Sequence, residues 1–509
     1  MLARIWSASL IGIDALKVGV EVDLSGGLPG VVVVGLPDAA VQESRERVKA
    51  ALKNAGFPFP MRKVVVNLTP ADVRKEGPIY DLPIAIGILA AAELVSPERL
   101  DQYLLLGELS LDGSLRPVAG VMAMAAAAPQ LGISGLIVPK DNAQEAAVVP
   151  NLKVYGFESV TEVVDFLNNP SDHQPLVVDG KKALNHAQPH AVDLKDVKGQ
   201  AQARRALEIA AAGGHNLVFV GPPGSGKTML ARRLATILPP LNFQEALEVT
   251  QIHSVAGLLK EKGALVTQRP FRSPHHSASG PSLVGGGSFP KPGEISLAHR
   301  GILFLDELTE FNRKVLEFLR QPLEDGYVSI SRTRQSVEFP SQFTLVASTN
   351  PCPCGFFGDS VQPCTCTPRG REQYWSKLSG PLMDRIDLQV VVSRLKPEEI
   401  TQHSPGEPSE QVRVRVEAAR ERAQTRFSNE PKLQCNADLE SRHLRQWCQL
   451  DEPSRILLET AVRKLGLSAR ATDRILKVAR TIADLATMET LEAAHIAEAI
   501  QYRTIDRMQ

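Results

Sequence analysis

The sequence predicts an α/β protein of several domains that ends in a helical region. Residues 1–167 alternate β-rich runs such as 30–35 with helical stretches such as 38–54, an alternation typical of α/β folds. A strand, a glycine-rich loop and a helix then follow one another over 217–237. Residues 398–509 have a largely helical pattern. The length of 509 residues leaves room for two or three domains.

The composition is that of an ordinary globular protein, with 43% hydrophobic and 22% charged residues. Basic and acidic side chains balance at 57 each, so any nucleic-acid contact must come from local patches and not from net charge. No run of about 18 apolar residues indicates a membrane span, and the first residues lack the apolar core of a signal peptide. We therefore expect a cytoplasmic protein whose six cysteines are thiols or metal ligands and not disulfides.

The N-terminal region shows a predicted hairpin but no reacting groups. The sequence GELSLDGSLRP at 107–117 places an Asp-Gly turn between two short strands. With no nucleotide loop or catalytic constellation there, we interpret the region as a scaffold or partner module. Residues 168–192 are rich in Pro, Asn, His and Gly and predict a linker. A new domain is predicted to open at residue 193, with a helix over 201–212.

A phosphate-binding loop is the strongest signal in the chain. Residues 217–220 form a predicted buried strand, and the pattern G-x-x-x-x-G-K-[ST] follows at once. The loop comprises Gly221, Pro222, Pro223, Gly224, Ser225, Gly226, Lys227 and Thr228. Its backbone N–H groups and a helix over 229–237 would surround phosphate oxygens, Lys227 would reach the β- and γ-phosphates of ATP, and Thr228 would bind Mg²⁺. A glycine turn with an incidental lysine is the alternative, which the flanking strand and helix disfavour.

Two further strands end in polar residues suited to ATP hydrolysis. The apolar strand over 301–307 ends in Asp306 and Glu307, the form of a Walker B motif. Asp306 would hold Mg²⁺ and Glu307 would polarise the attacking water, because phosphoryl transfer depends on charge neutralisation and a positioned nucleophile. The strand over 343–350 ends in Asn350, which would orient that water or contact the γ-phosphate. A solvated turn with two acids is the alternative interpretation of the Walker B pair.

The segments around Walker B are predicted to be irregular or amphipathic. Residues 256–298 are rich in Gly, Pro, Ser and His and predict a long loop. We expect His275 and His276 to be loop histidines or a nucleic-acid or subunit contact; a metal site is the less favoured alternative. An amphipathic helix over 312–320 is predicted to stop at Pro322.

A basic hairpin is predicted next. Alternating strands over 327–331 and 335–339 flank Arg332, Thr333 and Arg334. Exposed arginines at the end of a hairpin commonly do no more than aid solubility. In a ring-shaped motor the same tip would face the pore and grip phosphates, and the sequence leaves both interpretations open.

Four of the six cysteines lie close together in the sequence. Cys352 and Cys354 are followed, after nine residues, by Cys364 and Cys366. Two thiolate pairs brought together by a short loop form a tetrahedral set for structural Zn²⁺. The alternative is reduced thiols in a loop, because the C-x-C spacing is tighter than the usual C-x₂-C.

The N-terminal region resembles the Lon-type protease domain. The shared order is KEGPIYDLPIAIGILAA, GELSLDGSLRPVAG and GLIVPKDN. In that domain a serine follows the Gly-Pro pair and a lysine follows the hairpin, whereas this chain has Ile79 and, at or near the second position, Met122. Neither side chain supplies the hydroxyl or amine that a serine–lysine mechanism requires. The resemblance therefore implies a Lon-like fold that has lost protease activity.

The rest of the chain resembles an AAA+ ATPase of the magnesium-chelatase-like branch. The motifs are GPPGSGKT, ILFLDE, STN, SGPLMDRID and LSARATDR, in this order. With the Lon-like region and the CPC…CTC insert, the chain is similar to the ComM/YifB family over nearly its whole length. By position, the resemblance implies that Asn350 is sensor 1, that Arg385 is an arginine finger reaching a neighbour's γ-phosphate, and that Arg470 is a sensor 2 residue that detects bound nucleotide.

The resemblance also implies the organisation and the task of the protein. It divides the chain into a Lon-like domain (1–167), a linker (168–192), an AAA+ core (193–395) with the four-cysteine insert at 352–366, and a helical lid (396–509). A finger supplied by a neighbour implies a ring of identical subunits, expected to be a hexamer. The leading expectation is a DNA helicase or branch-migration motor that uses ATP and Mg²⁺ and acts on single-stranded or branched DNA during DNA uptake and recombination.

Three alternatives stay open. A motor subunit of a metal-insertion complex fits the chelatase-like region, although the chain has no chelatase-type metal-binding module. A Lon-type protease is disfavoured by Ile79 and Met122. A scaffold that only binds nucleotide is disfavoured by Glu307 and Arg385, which binding alone does not require. The sequence also leaves open a protein partner for the N-terminal domain.

Overall fold

A seven-stranded β-sheet, a five-stranded β-sheet and a C-terminal group of helices make up most of the protein. The computed structural model describes residues 2–185, 190–259, 265–287, 290–332, 335–395 and 406–503. Helices pack against both sheets, and every pair of neighbouring strands in the second sheet is parallel. The predicted α/β class is confirmed.

The first sheet is mixed and has seven strands. The strands of this region are β1 (Leu2–Ile11), β2 (Asp14–Ser25), β3 (Gly30–Val34), β4 (Lys63–Thr69), β5 (Tyr103–Leu105), β6 (Glu108–Leu109), β7 (Leu115–Arg116), β8 (Gly135–Pro139) and β9 (Lys153–Phe157). The sheet order is β3-β4-β2-β1-β5-β8-β9. Strands β6 and β7 pair antiparallel outside the sheet, which confirms the predicted Asp-Gly hairpin.

Six helices belong to this part of the chain. They are α1 (Ala39–Asn54), α2 (Asp81–Ala91), α3 (Val121–Ala127), α4 (Lys140–Ala146), α5 (Val160–Asn168) and α6 (Gly180–Asn185). Helix α1 begins after Asp38, whose carboxylate accepts a hydrogen bond from the Val41 N–H at 2.8 Å. Every residue of α2 is buried, and its one charged side chain, Asp81, pairs with Arg47 at 2.8 Å. Because α6 lies in 168–192, part of the predicted linker is helical.

The second sheet has five parallel strands. The strands beyond the first sheet are β10 (Leu217–Val220), β11 (Phe271–Arg272), β12 (Gly285–Gly286), β13 (Lys291–Pro292), β14 (Ile302–Leu305), β15 (Tyr327–Arg332), β16 (Gln335–Pro340), β17 (Thr344–Thr349) and β18 (Leu388–Val391). The sheet order is β11-β14-β17-β10-β18. All residues of β10, β14 and β17 are buried, as expected for central strands of a parallel sheet. Their carboxyl ends therefore meet at one edge.

Nine helices surround this sheet in the described residues. They are α7 (Ala201–Gly213), α8 (Lys227–Ile237), α9 (Phe243–Val255), α10 (Gly280–Val284), α11 (Glu294–Leu297), α12 (Arg313–Glu317), α13 (Arg320–Asp325), α14 (Pro368–Trp375) and α15 (Gly380–Met383). Helix α9 packs on α3. At that contact the Ser254 hydroxyl accepts a hydrogen bond from the Met122 N–H at 3.3 Å and donates one to Glu145 at 2.9 Å. Met122 and Ile79 pack against the same apolar cluster.

Two sequence predictions were wrong in this region. The amphipathic helix does not stop at Pro322, because α13 begins at Arg320 and places that proline in its first turn, where no backbone N–H donor is needed. Residues 256–298 are not one irregular loop, since β11, α10, β12, β13 and α11 lie within them. The predicted hairpin is confirmed as β15 and β16. Its tip residues Thr333 and Arg334 lie outside the described residues.

The C-terminal region is helical, as predicted. Its helices are α16 (Ser409–Arg426), α17 (Ser441–Trp447), α18 (Glu452–Leu465), α19 (Ala469–Leu485) and α20 (Ala493–Gln501). Helix α16 packs against α7 and α8, and α19 packs against α7, so that this group lies on the side of the phosphate-loop helix. Across the described ranges, no helix combines the length and the apolar character needed to cross a membrane.

Candidate nucleotide site and four-cysteine lobe

The phosphate loop leaves the end of β10 and enters α8. Gly226 precedes the helix with a φ of 91°, a left-handed conformation that favours glycine. Lys227 is the first residue of α8, two residues earlier than predicted. Its ammonium donates hydrogen bonds to the carbonyl oxygens of Gly221 at 2.7 Å and Pro222 at 2.9 Å. The lysine thus lies inside the curve of the loop, as phosphate recognition requires.

Thr228 and Asp306 meet at the same edge of the sheet. The Thr228 hydroxyl donates a hydrogen bond to Asp306 Oδ2 at 2.8 Å, and the Ser348 hydroxyl donates one to Asp306 Oδ1. Octahedral Mg²⁺ holds its oxygen ligands at about 2.0–2.1 Å, so neighbouring ligands lie about 2.9 Å apart. The oxygens of Thr228 and Asp306 therefore have the separation of two neighbouring Mg²⁺ ligands.

Asn350 lies beside the lysine. It directly follows β17, and its Oδ1 accepts a hydrogen bond from the Lys227 ammonium at 3.3 Å. Burial lowers the pKa of Lys227, whereas the negative charges of Asp306 and Glu307 oppose that shift. The structure thus brings the predicted loop lysine, Walker B acids and sensor 1 amide to one place.

Glu307 has an unusual backbone and a histidine neighbour. Its φ of 54° is left-handed, a conformation that costs about 1–3 kcal/mol outside glycine and concentrates at functional sites. The Glu307 side chain is 56% exposed, and its Oε2 lies 3.5 Å from His276 Nδ1. The rings of His276 and His275 lie against each other with centroids 4.0 Å apart and a tilt of 35°. The two loop histidines therefore border the carboxylate that is predicted to activate water.

The two predicted arginines lie at the opposite edge of the sheet. Arg385 precedes β18, which runs parallel to β10 with Leu217 opposite Leu388, whereas the phosphate loop follows the other end of β10. A strand of four residues spans about 13 Å at 3.3 Å per residue. Arg385 is 9% exposed and bonded to Glu324. In one chain, Arg385 is thus separated from the phosphate loop by the length of the sheet.

Arg385 belongs to a group of arginines. Burial lowers its pKa, and the charges of Arg320, Arg474 and Arg470 lower it further. Arg470 lies at the start of α19 and is exposed. The predicted finger and the predicted sensor 2 residue are therefore neighbours, and together they present positive charge at the edge where the strands begin.

A buried polar network fixes α19 to this edge. His215 Nδ1 lies 3.1 Å from Asp387 Oδ2, and its Nε2 lies 2.8 Å from the Thr481 hydroxyl. Arg474 donates to Asp387 Oδ1 at 3.1 Å. Burial would raise the pKa of Asp387, but the hydrogen bond from His215 and the charge of Arg474 hold it well below its usual range. The network ties the helix that carries Arg470 to the start of β18.

The four predicted zinc ligands come together in a lobe formed by residues 351–367. Their sulfur atoms all lie within 4.8 Å of one another, and Cys352 Sγ lies 3.3 Å from Cys354 Sγ and 3.7 Å from Cys364 Sγ. A tetrahedron with Zn–S bonds of about 2.3 Å has edges of about 3.8 Å. Backbone N–H groups of Phe357 and Cys354 donate to Cys352 and Cys366, both at 3.3 Å. The donor set fits zinc, although the ion itself is not shown.

Sequence reasoning missed several residues of the site. Ser348 bonds to Asp306, and its polar character at the end of an apolar strand was the available signal. The approach of His276 to Glu307 and the network around Asp387 join residues far apart in the sequence, which no local pattern reveals. The same holds for Arg320 beside Arg385.

The fold and the site define a P-loop ATPase of the AAA+ type, preceded by a Lon-like α/β region and followed by a helical region. Three family models match: "Magnesium chelatase, subunit ChlI" at 193–400, "Subunit ChlI of Mg-chelatase" at 20–142, and "Magnesium chelatase, subunit ChlI C-terminal" at 406–503. The chain belongs to the ComM/YifB family of magnesium-chelatase-like AAA+ proteins.

Two full-length relatives establish this family membership. The chain is 46% identical over 513 residues to competence protein ComM of Haemophilus influenzae, covering 100% of this chain and 98% of that protein. It is 45% identical over 511 residues to YifB of Escherichia coli, with the same coverage. Lon protease 2 of Bacillus subtilis is 27% identical over 180 residues, 31% of this chain and 33% of that protein. Membership supports ATPase activity with ATP and Mg²⁺, and an oligomeric protein.

Proposed function

We propose that the protein is an ATP-driven ring motor that acts on DNA as a helicase or branch-migration translocase. The observation that carries the proposal is the division of the catalytic groups between opposite edges of one sheet. Lys227, Thr228, Asp306 and Glu307 lie where the strands end, and Arg385 lies where they begin. A ring in which each chain turns its arginine edge towards the next chain's phosphate loop would complete every site.

Each residue of the proposed site has a defined task. Lys227 binds the β- and γ-phosphates, Thr228 and Asp306 bind Mg²⁺, and Asn350 and Glu307 hold the attacking water. Bound Mg²⁺ neutralises charge that develops on the phosphates. Arg385 and Arg470 of an adjacent subunit approach the γ-phosphate. Arg385 then exchanges its ion pair with Glu324 for a contact with that phosphate. A ring built this way is proposed to be a hexamer.

DNA as the substrate rests on the family and on the basic hairpin. The relative from H. influenzae is named a competence protein, which agrees with the role in DNA uptake and recombination that the resemblance implies. Strands β15 and β16 pack on the core through Val328, Ile330, Val337 and Phe339, and the Arg332-Thr333-Arg334 tip between them is proposed to grip phosphates in the pore.

The test is the ATPase rate of the full chain with and without single-stranded, duplex and four-way-junction DNA. We expect DNA to stimulate wild-type hydrolysis, and Glu307→Gln to abolish hydrolysis with all three DNAs while still binding ATP. Hydrolysis that ignores every DNA, together with no DNA binding at low salt, where phosphate contacts are strongest, would overturn the proposal.

A second candidate is the motor subunit of a metal-insertion complex. The matching family models favour it, because all three bear the name of a magnesium chelatase subunit. Co-purification with a chelatase partner and hydrolysis stimulated by that partner, with no response to DNA, would select this function. A Lon-type protease is not proposed, because Ile79 and Met122 supply no nucleophile or base.

The remaining assignments are proposals of the same kind. We propose structural Zn²⁺ on Cys352, Cys354, Cys364 and Cys366, and a cytoplasmic location. We also retain the division into a Lon-like domain (1–167), a linker (168–192), an AAA+ core (193–395) and a helical lid (396–509). Limited proteolysis with mass spectrometry should cut first within 168–192 or near 396 if these boundaries are right.

A further inference from the structure

The four-cysteine lobe lies directly against the phosphate loop. Gly355, the residue after Cys354, has a φ of 87°, and a Cβ placed on it would lie 2.8 Å from Cδ and 3.0 Å from Cγ of Pro223. The same Cβ would lie 3.9 Å from Cγ of Asn350. The backbone of the lobe therefore fills the space between a phosphate-loop proline and the amide that bonds to Lys227.

The cysteines determine where Gly355 lies. Its N–H donates a hydrogen bond to the Cys352 carbonyl at 2.9 Å, and Cys354 precedes it in the chain. Both residues belong to the predicted zinc set. A metal ion that joins them to Cys364 and Cys366 would hold this turn in one conformation, because each thiolate would be bound at a fixed distance and angle.

The other contacts of the lobe fix its base. The Trp375 indole donates a hydrogen bond to the Pro351 carbonyl at 3.1 Å. Arg371 donates to the Cys366 carbonyl at 3.1 Å, and its guanidinium lies 4.4 Å from the centre of the Phe357 ring. Both side chains belong to α14, so one end of the lobe is anchored to the core and the other reaches the phosphate loop.

We propose that the lobe is a metal-dependent brace for the nucleotide site. Zinc bound by the four cysteines fixes Gly355 against Pro223 and Asn350 beside Lys227, so that nucleotide affinity depends on a metal ion that touches no nucleotide. This inference rests on the proposed nucleotide site but not on DNA as the substrate. It assigns the four-cysteine lobe a structural role within the ATPase core and not the role of an independent DNA- or protein-binding module.

Two glycines of the lobe provide a matched pair for the test. Gly358 also has a left-handed φ, of 78°, but a Cβ there would meet nothing within 4 Å. Both Gly355→Ala and Gly358→Ala place a Cβ on a left-handed backbone, and only the first brings that Cβ against the phosphate loop. Because a Cβ at 355 would force the phosphate loop to shift and would weaken its charge-assisted hydrogen bonds to phosphate, we expect Gly355→Ala to weaken binding of a fluorescent ADP analogue at least about tenfold. Gly358→Ala should bind as wild type does.

Metal content is measured on the same preparations by elemental analysis. Wild type, Gly355→Ala and Gly358→Ala should each hold a single zinc ion per chain. The double variant Cys364→Ser, Cys366→Ser should lose zinc and bind ADP more weakly. Cys435→Ser, which lies outside the lobe, should keep both the zinc content and the ADP affinity of wild type. Cobalt in place of zinc should give the visible absorption of a tetrahedral thiolate site.

Two results would overturn the brace. The first is a double cysteine variant that has lost all its zinc but binds ADP as tightly as wild type. The second is an equal ADP affinity of Gly355→Ala and Gly358→Ala. If the cysteine variant does not fold, the glycine pair still decides the question. All of these measurements are made without DNA, so a failure of the DNA motor would leave their outcome unchanged.

Discussion

At the edge of the five-stranded sheet where β10, β14 and β17 end, the polar side chains are already bonded to one another. Lys227 is bonded to its own loop and to Asn350, and Thr228 is bonded to Asp306. At the edge where β18 begins, like charges gather. Burial lowers the pKa of Arg385, and the nearby charges of Arg320, Arg474 and Arg470 lower it further.

The difference between the two edges supports the proposal that the arginine edge acts on a neighbouring chain. At the phosphate-loop edge, Lys227, Thr228 and Asp306 are bonded to polar groups of the same chain. The arginine edge concentrates cations that repel one another, and its described acidic partners are Glu324 on Arg385, Asp387 on Arg474 and Glu317 on Arg320. A polyanion such as the triphosphate on a neighbouring chain would relieve that repulsion.

The largest expected effect follows removal of the arginine. Arg385→Ala should lower ATP turnover about 10³-fold, because an arginine that stabilises the transferring phosphoryl group is worth 10³–10⁵ in rate. ATP binding to the same chain should change little, since the arginine lies at the other edge of its own sheet. Steady-state turnover and nucleotide affinity, measured on one preparation, check both parts.

Mixing two inactive variants tests whether the arginine acts on a neighbour. Arg385→Ala subunits retain Glu307, and Glu307→Gln subunits retain Arg385. A mixed ring would contain sites with both groups, and turnover should partly recover in the mixture. Recovery that fails in rings shown to be mixed by cross-linking would contradict a shared site.

The next effect concerns Lys227 at the phosphate-loop edge. Lys227→Ala should weaken ATP binding by about 3 kcal/mol, or roughly a hundredfold, because hydrogen bonds to charged groups contribute about 1.5–3 kcal/mol each. Isothermal titration calorimetry measures the loss. Arg232→Ala is the matched control, since Arg232 is exposed on the same helix. Unchanged affinity in Lys227→Ala would contradict the assignment of the loop.

The sequence predicted the first edge far better than the second. The phosphate loop is contiguous, and Asp306 and Asn350 follow strands that had to be parallel neighbours, so their meeting could be inferred from pattern alone. The clustering of Arg385 with Arg470 depends on how α19 packs beside β18, and the network that holds it joins His215 to Asp387, 172 residues apart in the sequence. Such contacts carry no local periodicity.

The wrong predictions have local physical causes. Pro322 was interpreted as a helix end, but proline is tolerated in a first turn, and the pattern did not reveal that a new helix starts at Arg320. The segment 256–298 looked irregular because its helices and strands are too short for hydrophobic periodicity to appear. The spacing of the four cysteines predicted that they would cluster. It could not predict that Gly355, within the same lobe, lies against Pro223.

A smaller effect is expected from the network that holds α19. Asp387→Asn should lower the free energy of unfolding by about 2 kcal/mol at pH 7, because Arg474 and His215 lose their hydrogen bonds to a buried carboxylate. The pKa of Asp387 is held below its usual range in the folded protein, so its contribution is full above about pH 4, the ordinary value for aspartate, and is lost as the pH falls through the folded value.

Urea unfolding followed by circular dichroism measures this contribution. The gap between wild type and Asp387→Asn should be constant from pH 7 to pH 5 and should shrink below pH 4. A gap that instead grows in acid would show that Asp387 is not held as a carboxylate. Asp384→Asn, a neighbouring position with no described partner in the network, is the control for a general charge effect.

The smallest expected effect concerns the histidine at the first edge. His276 Nδ1 lies 3.5 Å from Glu307 Oε2, and Glu307 is half exposed, so the contact restrains the carboxylate only weakly. Exposed ion pairs contribute about 0–1 kcal/mol, and His276→Ala should therefore change turnover no more than about fivefold, with ATP affinity unchanged. His275→Ala removes the adjacent ring but not the contact with Glu307 and should have less effect. If His276→Ala abolished turnover as Glu307→Gln does, the weak contact at 3.5 Å would not explain the loss. His276 would then have to be counted among the catalytic residues of the phosphate-loop edge.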